Sequence, residues 1–256
     1  MNTSQKISLI VPIYNEESHL LDFLRKVDEL NLAIPKQLVF IDDCSKDKSF
    51  EILNSYSFNT PDIKILQQDI NRGKGAAIRK GFEEADGDII GVQDADFEYD
   101  MDDIPRILTP FLSGKVDIVF GSRYRSENNQ VHRTFHYLVN RFLTLMSNVL
   151  SGLYLSDMET CYKFFKSEII KNIQLESNRF GFEPEITAKI ARLKVRIQEV
   201  PISYYPRSYI EGKKITWKDG IAALKHLIYY NVFASKKKFF KPELPEKYIP
   251  KGSNWL

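Results

Sequence analysis

Two aspartates separated by one residue follow an apolar run near the middle of the chain. The run is Ile89-Ile90-Gly91-Val92, and Asp94, Asp96 and then Glu98 supply the carboxylates. A short apolar run bounded by polar residues is typical of a strand buried on both faces, and open α/β sheets bind ligands at the carboxyl ends of their strands. Because carboxylates held close together repel each other, they favour a cation, and hard oxygen ligands suit Mg²⁺ or Mn²⁺. The alternative is a solvated acidic turn.

Four further polar clusters also come at or just after the ends of strand-like segments. They are Tyr14-Asn15-Glu16, Asp42-Asp43, Gly73-Lys74-Gly75 and Ser122-Arg123. The carboxyl ends of parallel strands meet at one edge of a sheet, so we expect these clusters to lie together. One of them could be a simple turn, but five at one edge indicate a nucleotide site.

The elements that must position these side chains alternate between strand and helix. Strand-like segments lie at residues 7–14, 37–41, 63–66, 89–92, 116–120, 161–165 and 196–204. Helical patterns separate the first strands and recur at 135–151, from 182 and at 217–233. This alternation predicts an α/β fold with a mostly parallel central sheet and helices on both faces. Pro201 places the last strand at an edge, because proline lacks a backbone donor.

Composition limits the class of protein. The chain has 256 residues, of which 43% are hydrophobic, and this length suits one large domain or one domain with an appendage. A formal net charge of +2 argues neither for a nucleic-acid binder nor for an acidic tail. The amino-terminal segment has no signal-peptide pattern, and the longest uncharged stretch, 142–156, is shorter than the ~20 apolar residues of a membrane span. Two distant cysteines favour reduced thiols in the cytosol.

The last helical pattern combines an apolar stripe with a basic end. Its stripe consists of Trp217, Ile221, Leu224, Ile228 and Val232. Lys236-Lys237-Lys238 follow, so the segment could lie in a membrane interface, or it could pack on the core with a solvated end. We therefore predict a catalytic domain at 1–215, an amphipathic helix with a basic end at 216–241, and a loosely ordered, proline-containing tail at 242–256.

Taken as a set, the polar motifs resemble those of family 2 glycosyltransferases, above all the polyprenyl-phosphate sugar transferases of the dolichol-phosphate mannose synthase type. The resemblance covers roughly residues 6 to 215. A later segment, Asp157-Met158-Glu159-Thr160-Cys161, lies where that family carries an Asp-rich segment containing glycine, although glycine is absent here. The motifs that match in order and spacing are Val11-Pro12-Ile13-Tyr14-Asn15-Glu16, Asp42-Asp43-Cys44-Ser45, Asn71-Arg72-Gly73-Lys74-Gly75, Asp94-Ala95-Asp96 and Gly121-Ser122-Arg123-Tyr124.

The resemblance implies a GT-A (Rossmann-like) fold that binds a nucleoside diphosphate sugar. The expected donor contacts are Pro12, Tyr14, Glu16, Asp43, Gly73, Lys74, Asp94 and Ala95. Asp94 and Asp96 would hold Mg²⁺ or Mn²⁺ on the pyrophosphate, with Glu98 standing where the mannose synthases have a glutamine ligand. Gly73 and Gly75 would also let the backbone approach a ligand closely, or would only form a turn.

Basic residues complete the site that the resemblance implies. Arg123 and a further arginine, Arg141 or Arg133, would contact the donor or acceptor phosphate, to which arginine can bind bidentately. Arg207, Lys213 and Lys214 would close over the site. The alternative for Arg123 is an ion pair with a structural carboxylate.

The expected reaction is in-line attack on the anomeric carbon with inversion. A polyprenyl phosphate acceptor is already ionised, whereas a hydroxyl acceptor needs a general base, for which Asp157 or Glu159 is the candidate. We expect a peripheral enzyme at the cytoplasmic face of the membrane, in contact with the surface through its C-terminal helix, with a membrane-protein partner or a second copy as a further possibility. The alternatives are transfer to a saccharide or protein hydroxyl in solution, a nucleotidyltransferase that releases pyrophosphate, and a regulatory module that binds nucleotide sugars.

Overall fold

The computed structural model describes residues 5–125, 134–179, 181–206 and 217–253. Within them, one seven-stranded sheet is flanked by helices. The strands are β1 Ile7–Ile13, β2 Lys36–Asp42, β3 Ile63–Gln67, β4 Ile89–Val92, β5 Ile118–Ser122, β6 Lys163–Lys166 and β7 Ile197–Pro201. The helices are α1 Leu20–Glu29, α2 Ser49–Ser55, α3 Lys74–Glu84, α4 Ile104–Leu112, α5 Thr134–Ser151, α6 Ser167–Ile170, α7 Phe182–Ile190 and α8 Trp217–Ile228.

The strand order is β3-β2-β1-β4-β6-β5-β7, and only β6 runs antiparallel to its neighbours. This confirms the predicted mostly parallel sheet. Ile13 is level with Asp42, and Asp42 with Gln67, so β1, β2 and β3 end together. The loops that follow these strands therefore emerge at one edge of the sheet.

The central strands are mostly apolar because both faces of the sheet are covered. All four residues of β4 are buried, and the buried hydroxyl of Ser8 in β1 pairs with Gln37 at 2.6 Å. A Cβ at Gly91 would lie 2.2 Å from the Phe164 ring, so β4 needs glycine where β6 packs beside it. This contact allows β6 to lie between β4 and β5.

The predicted edge position of the last strand is confirmed. β7 pairs only with β5, in a parallel register that sets Pro201 beside Ser122. A proline is tolerated there because an edge strand leaves one row of its backbone donors without a strand partner.

The C-terminal region packs on the body of the protein. α8 continues into a π-helical turn, Tyr229–Phe233, and buries Ala223, Leu227 and Tyr230. Leu244 and Tyr248 are also buried, and the Lys194 N–H donates to the Tyr248 carbonyl at 2.8 Å. Residues 242–253 thus differ from the loosely ordered tail that was expected, because their apolar side chains reach the core between the prolines. Among the described helices, none is both long and apolar enough to cross a membrane.

Candidate functional site

The loops after β1 and β2 are held together by hydrogen bonds. The Asn15 N–H donates to Ser45 Oγ at 3.0 Å, and the Lys46 N–H donates back to Asn15 Oδ1 at 2.8 Å. One residue further on, the Glu16 N–H donates to Ser49 Oγ at 2.8 Å. The motif that contains Tyr14, Asn15 and Glu16 is therefore held against the segment that follows β2. Pro12 is the penultimate residue of β1 and lies level with Ile41 of β2.

Asp43 holds the loop that leads into α3. Its Oδ1 accepts from Gln68 Nε2 at 2.6 Å and from the Arg72 N–H at 2.8 Å. Its Oδ2 accepts from Asn71 Nδ2 at 2.9 Å and from the Gly73 N–H at 2.7 Å. Burial raises the pKa of this carboxyl above its ordinary value, against the opposing effect of the backbone donors. Asp43 thus fixes the shape of the loop between β3 and α3.

The glycines at the start of α3 lie against the protein's own backbone. Gly73 has a positive φ of 94°, and a Cβ there would lie 2.6 Å from the Asn178 carbonyl oxygen. A Cβ at Gly75 would lie 2.4 Å from the Ser177 carbonyl oxygen, and the Ala76 N–H donates to Asn178 at 3.1 Å. The close approach expected at these glycines is therefore made by residues 177–179.

Lys74 is paired with the first aspartate of the acidic motif. Its Nζ lies 2.8 Å from Asp94 Oδ2 and 3.7 Å from Glu183 Oε1, at the start of α7. Burial alone would lower the pKa of Lys74, but Asp94 and Glu183 raise it well above its ordinary value. The ammonium group therefore stays charged beside Asp94 and offsets the repulsion between the carboxylates.

The two aspartates follow β4 and supply the hard oxygen ligands that a divalent cation prefers. Asp96 Oδ1 accepts from the Glu98 N–H at 3.1 Å, while Glu98 itself is buried and accepts from the Tyr204 hydroxyl at 2.7 Å. No cluster of three or more His, Cys, Asp or Glu suited to a metal occurs among the described residues. Mg²⁺ commonly uses one or two carboxylates and completes its shell with substrate phosphates and water, so Asp94 and Asp96 would suffice. A metal role for Glu98 would compete with its bond to Tyr204.

Arg123 forms a buried, bidentate ion pair with Asp157. Its Nε lies 2.7 Å from Oδ2 and its Nη2 lies 2.8 Å from Oδ1, and the backbone N–H also donates to Oδ2 at 3.0 Å. The guanidinium carbon lies 5.1 Å from the centroid of the Tyr204 ring. The structure therefore pairs Arg123 with a carboxylate of the protein, and both oxygens of Asp157 are engaged. Tyr204 connects this pair to Glu98 of the acidic segment.

A second carboxylate, Glu199 of β7, holds the turn that carries Asp157. Its Oε1 accepts from the Ser156 N–H at 2.8 Å and the Asp157 N–H at 3.1 Å, while its Oε2 lies 3.0 Å from Arg125 Nη2. Arg141 of α5 donates to the Ser156 carbonyl at 3.1 Å. Two exposed guanidinium groups are therefore linked to one turn, Arg141 directly and Arg125 through Glu199. Sequence analysis missed Arg125 and Glu199; the only sequence signal was the position of Arg125, two residues after Arg123.

Glu159 is a partly buried carboxyl group whose Oε1 has no hydrogen-bond partner among the described residues. Burial, and then the charge of Glu183, raise the pKa of Glu159 to about 8. At neutral pH it is therefore largely a neutral acid. The other basic residues named from the sequence, Arg133, Arg207, Lys213 and Lys214, lie outside the described residues.

A mostly parallel α/β sheet with one antiparallel strand and an Asp-x-Asp motif at the end of a central strand defines a GT-A fold. Residues 8–174 match the family model described as glycosyl transferase family 2. The chain therefore belongs to glycosyl transferase family 2.

Three relatives of this chain act on polyprenyl phosphates, according to their names. A dolichyl-phosphate beta-glucosyltransferase of Trichomonas vaginalis is 31% identical over 89% of this chain and 73% of its own length. A dolichol-phosphate mannosyltransferase of Pyrococcus furiosus is 27% identical over 81% of this chain, which spans only 59% of that enzyme. An undecaprenyl-phosphate mannosyltransferase of Micrococcus luteus is 28% identical over 81% of this chain and 87% of its own length.

A solved structure supports the fold. The glucosyl-3-phosphoglycerate synthase of Mycobacterium tuberculosis, in complex with Mn²⁺, uridine diphosphate and glucosyl-3-phosphoglycerate, superposes with a TM-score of 0.66. The two chains are 17% identical over 89% of this chain and 80% of that one. At this identity the likeness concerns the fold alone.

Proposed function

We propose that this protein transfers a sugar from a nucleoside diphosphate sugar to a polyprenyl phosphate, dolichyl or undecaprenyl, with inversion at the anomeric carbon. The observation that carries the proposal is the junction at Tyr204. This residue donates to Glu98 of the acidic segment at 2.7 Å and stacks on Arg123. A carboxylate site suited to a metal diphosphate thus adjoins a cluster of arginines suited to a second phosphate.

The donor would lie at the carboxyl edge of β1 to β4. Pro12, Tyr14 and Glu16 would line the base and ribose pocket, and Asp43 would shape it through the loop before α3. A bound Mg²⁺ or Mn²⁺, held by Asp94 and Asp96, would stabilise charge on the leaving diphosphate. Gly73, Lys74 and Ala95 would complete the diphosphate end of this site.

The acceptor phosphate would lie on the arginine side. Arg141 is exposed and reaches the Ser156 turn, where it would add a charge-assisted contact beside Arg123. Arg207, Arg133 and Lys213 stay proposals from the sequence for closing the site. A phosphate oxygen attacks the anomeric carbon, the bond from that carbon to the diphosphate oxygen breaks, and the nucleoside diphosphate leaves.

No general base is needed in this scheme, which agrees with the engagement of both Asp157 oxygens by Arg123. Asp157 would then act by positioning Arg123. The second candidate is transfer to a hydroxyl acceptor, for which the unpartnered oxygen of Glu159 is the supporting observation. With a pKa of about 8, Glu159 would serve as a base mainly above neutral pH.

The acceptor class is tested with matched acceptors. The protein is assayed with UDP-, GDP- and dTDP-sugars and Mn²⁺ or Mg²⁺, with either a polyprenyl phosphate or the corresponding polyprenol. Release of nucleoside diphosphate only with the phosphate supports the proposal. Equal release with the polyprenol moves the acceptor to a hydroxyl, formation of a nucleoside triphosphate from the donor after pyrophosphate is added identifies a nucleotidyltransferase, and no turnover of any donor contradicts transfer altogether. A cytoplasmic location and a protein partner or second copy stay proposals of the sequence analysis.

A further inference from the structure

α5 exposes a continuous apolar row. Leu138, Phe142, Leu145 and Val149 are each between 50% and 70% exposed. Their spacing of four, three and four residues places them on one face of the helix. Exposed apolar residues are unremarkable when scattered, but a row that runs along most of an 18-residue helix marks an interaction surface.

α8, which packs beside α5, exposes a second row. A Cβ at Gly220 of α8 would lie 3.6 Å from Val139 of α5, and the π-helical turn after α8 also contacts α5. The second row consists of Ile221, Ile228, Val232 and Phe233, and it reaches 73% exposure at Phe233. The side of α8 and its π-helical turn that faces the core presents Ala223, Leu227 and Tyr230. The second row is therefore separate from the residues that pack on the core.

Acidic residues are nearly absent from both helices, with Asp219 of α8 as the one exception. Residues 134–151 contain no aspartate or glutamate, although the whole chain has 34 of them. Residues 220–241 also contain none, but they carry five lysines, of which Lys236, Lys237 and Lys238 are exposed. An apolar surface edged by lysines and poor in carboxylates complements a bilayer with anionic headgroups.

We propose that α5 and α8 together form the surface that docks this protein on an anionic phospholipid bilayer. The sequence indicated contact through the C-terminal helix alone, whereas the structure adds α5 and its longer apolar row. Arg141 lies on α5 within this segment and reaches the Ser156 turn. Docking would bring the arginine cluster to the headgroup layer, where the phosphate of a membrane-resident acceptor lies. This last consequence rests on the proposed function.

The test is partition onto phosphatidylcholine vesicles with and without phosphatidylglycerol, measured by co-sedimentation. The variant Phe142→Ser/Leu145→Ser removes apolar surface that is already exposed, so the fold should persist. The matched control, Leu21→Ser/Ile70→Ser, makes the same change at exposed residues of α1 and the loop after β3. We expect the α5 variant to lose about tenfold or more in partition and the control to keep it.

The lysines and α8 are tested in the same assay. Lys236→Gln/Lys237→Gln/Lys238→Gln should remove most of the preference for anionic vesicles, and Val232→Ser/Phe233→Ser should lower partition to both lipids. Unchanged partition for the α5 variant would overturn the proposal. A second result would also overturn it: the unaltered protein does not bind vesicles but forms a stable dimer in sedimentation velocity, and the α5 changes dissociate that dimer.

Failure of docking and failure of the proposed reaction can be separated with a short-chain, water-soluble isoprenyl phosphate. The α5 variant should keep transfer to this acceptor while it loses transfer to long-chain acceptor in vesicles. Vesicle binding without transfer to either acceptor would contradict the proposed reaction and leave the docking surface supported. If the unaltered protein transfers sugar to the soluble acceptor but does not bind vesicles, the docking surface is contradicted and the proposed reaction is supported.

Discussion

The proposed donor side and the proposed acceptor side of the candidate site are stabilised in different ways. On the donor side, backbone N–H groups are bound by side chains such as Asn15, Ser45 and Asp43, which fix the shape of the loops. On the acceptor side, charged side chains pair with each other, as in Arg123–Asp157 and Arg125–Glu199. Under the proposed function, the nucleotide would bind against loops whose shape is already fixed, and the acceptor phosphate would bind among charged side chains that pair with each other.

Removal of the Arg123 guanidinium should have the largest effect on stability. Arg123→Gln leaves the Asp157 carboxylate buried without its ion-pair partner, and breaking such a pair costs about 3–5 kcal/mol. Urea unfolding should show this loss, whereas Arg141→Gln, at an exposed arginine, should change the unfolding free energy by less than about 1 kcal/mol. Equal effects of the two changes would mean that the acceptor side does not depend on its buried ion pair.

Asp43→Asn should have the next largest effect and should act on the donor side. The amide keeps the size of the carboxylate but replaces an acceptor oxygen with a donor group, so two of the four hydrogen bonds are lost. We expect about 2–4 kcal/mol of destabilisation, from the loss of hydrogen bonds to a charged group. Nucleotide binding should weaken more than binding of polyprenyl phosphate, as measured by calorimetry. A change confined to the lipid phosphate would contradict the division between the two sides.

Of the three substitutions, Glu159→Gln should change the free energy of unfolding least at acidic pH. The size of this change should depend on pH. The carboxyl has a pKa of about 8 in the folded protein and an ordinary value of 4.5. Between these values the folded state keeps a proton that the unfolded state releases, so its contribution to stability falls as pH rises from about 4.5 to 8. The unaltered protein should therefore lose stability relative to the glutamine variant across this range, with little change above it. Unfolding free energies at pH 5 to 9 test this, and a constant difference would contradict the raised pKa.

Much of the fold and of the donor side could be predicted because the signals are local. All seven strands, the mostly parallel sheet and the edge position of Pro201 follow from apolar runs, their spacing with helices and the chemistry of proline. The polar clusters after β1, β2 and β4 come at strand ends, which the sequence marks directly.

The acceptor side could not be predicted to the same degree because its contacts are distant in sequence. The insertion of β6 between β4 and β5 depends on the contact of Gly91 with Phe164, and the fate of Arg123 depends on a carboxylate 34 residues away. The α4 helix was not predicted, and it contains Pro110. The burial of Tyr248 in the tail was not predicted either, because the prolines around it indicated a loosely ordered segment. Pairing of charges across elements leaves no periodic pattern to detect.

The most direct test of the central claim is transfer to polyprenyl phosphate by Asp96→Asn, beside the control Asp102→Asn. Asp102 is an exposed acid of the same region, six residues further along the chain. We predict that metal-dependent release of nucleoside diphosphate falls about a hundredfold or more in Asp96→Asn and is kept in Asp102→Asn, because only Asp96 would stabilise the leaving diphosphate through the metal. Equal activity of the two variants, or turnover that needs neither metal nor lipid phosphate, would contradict the account.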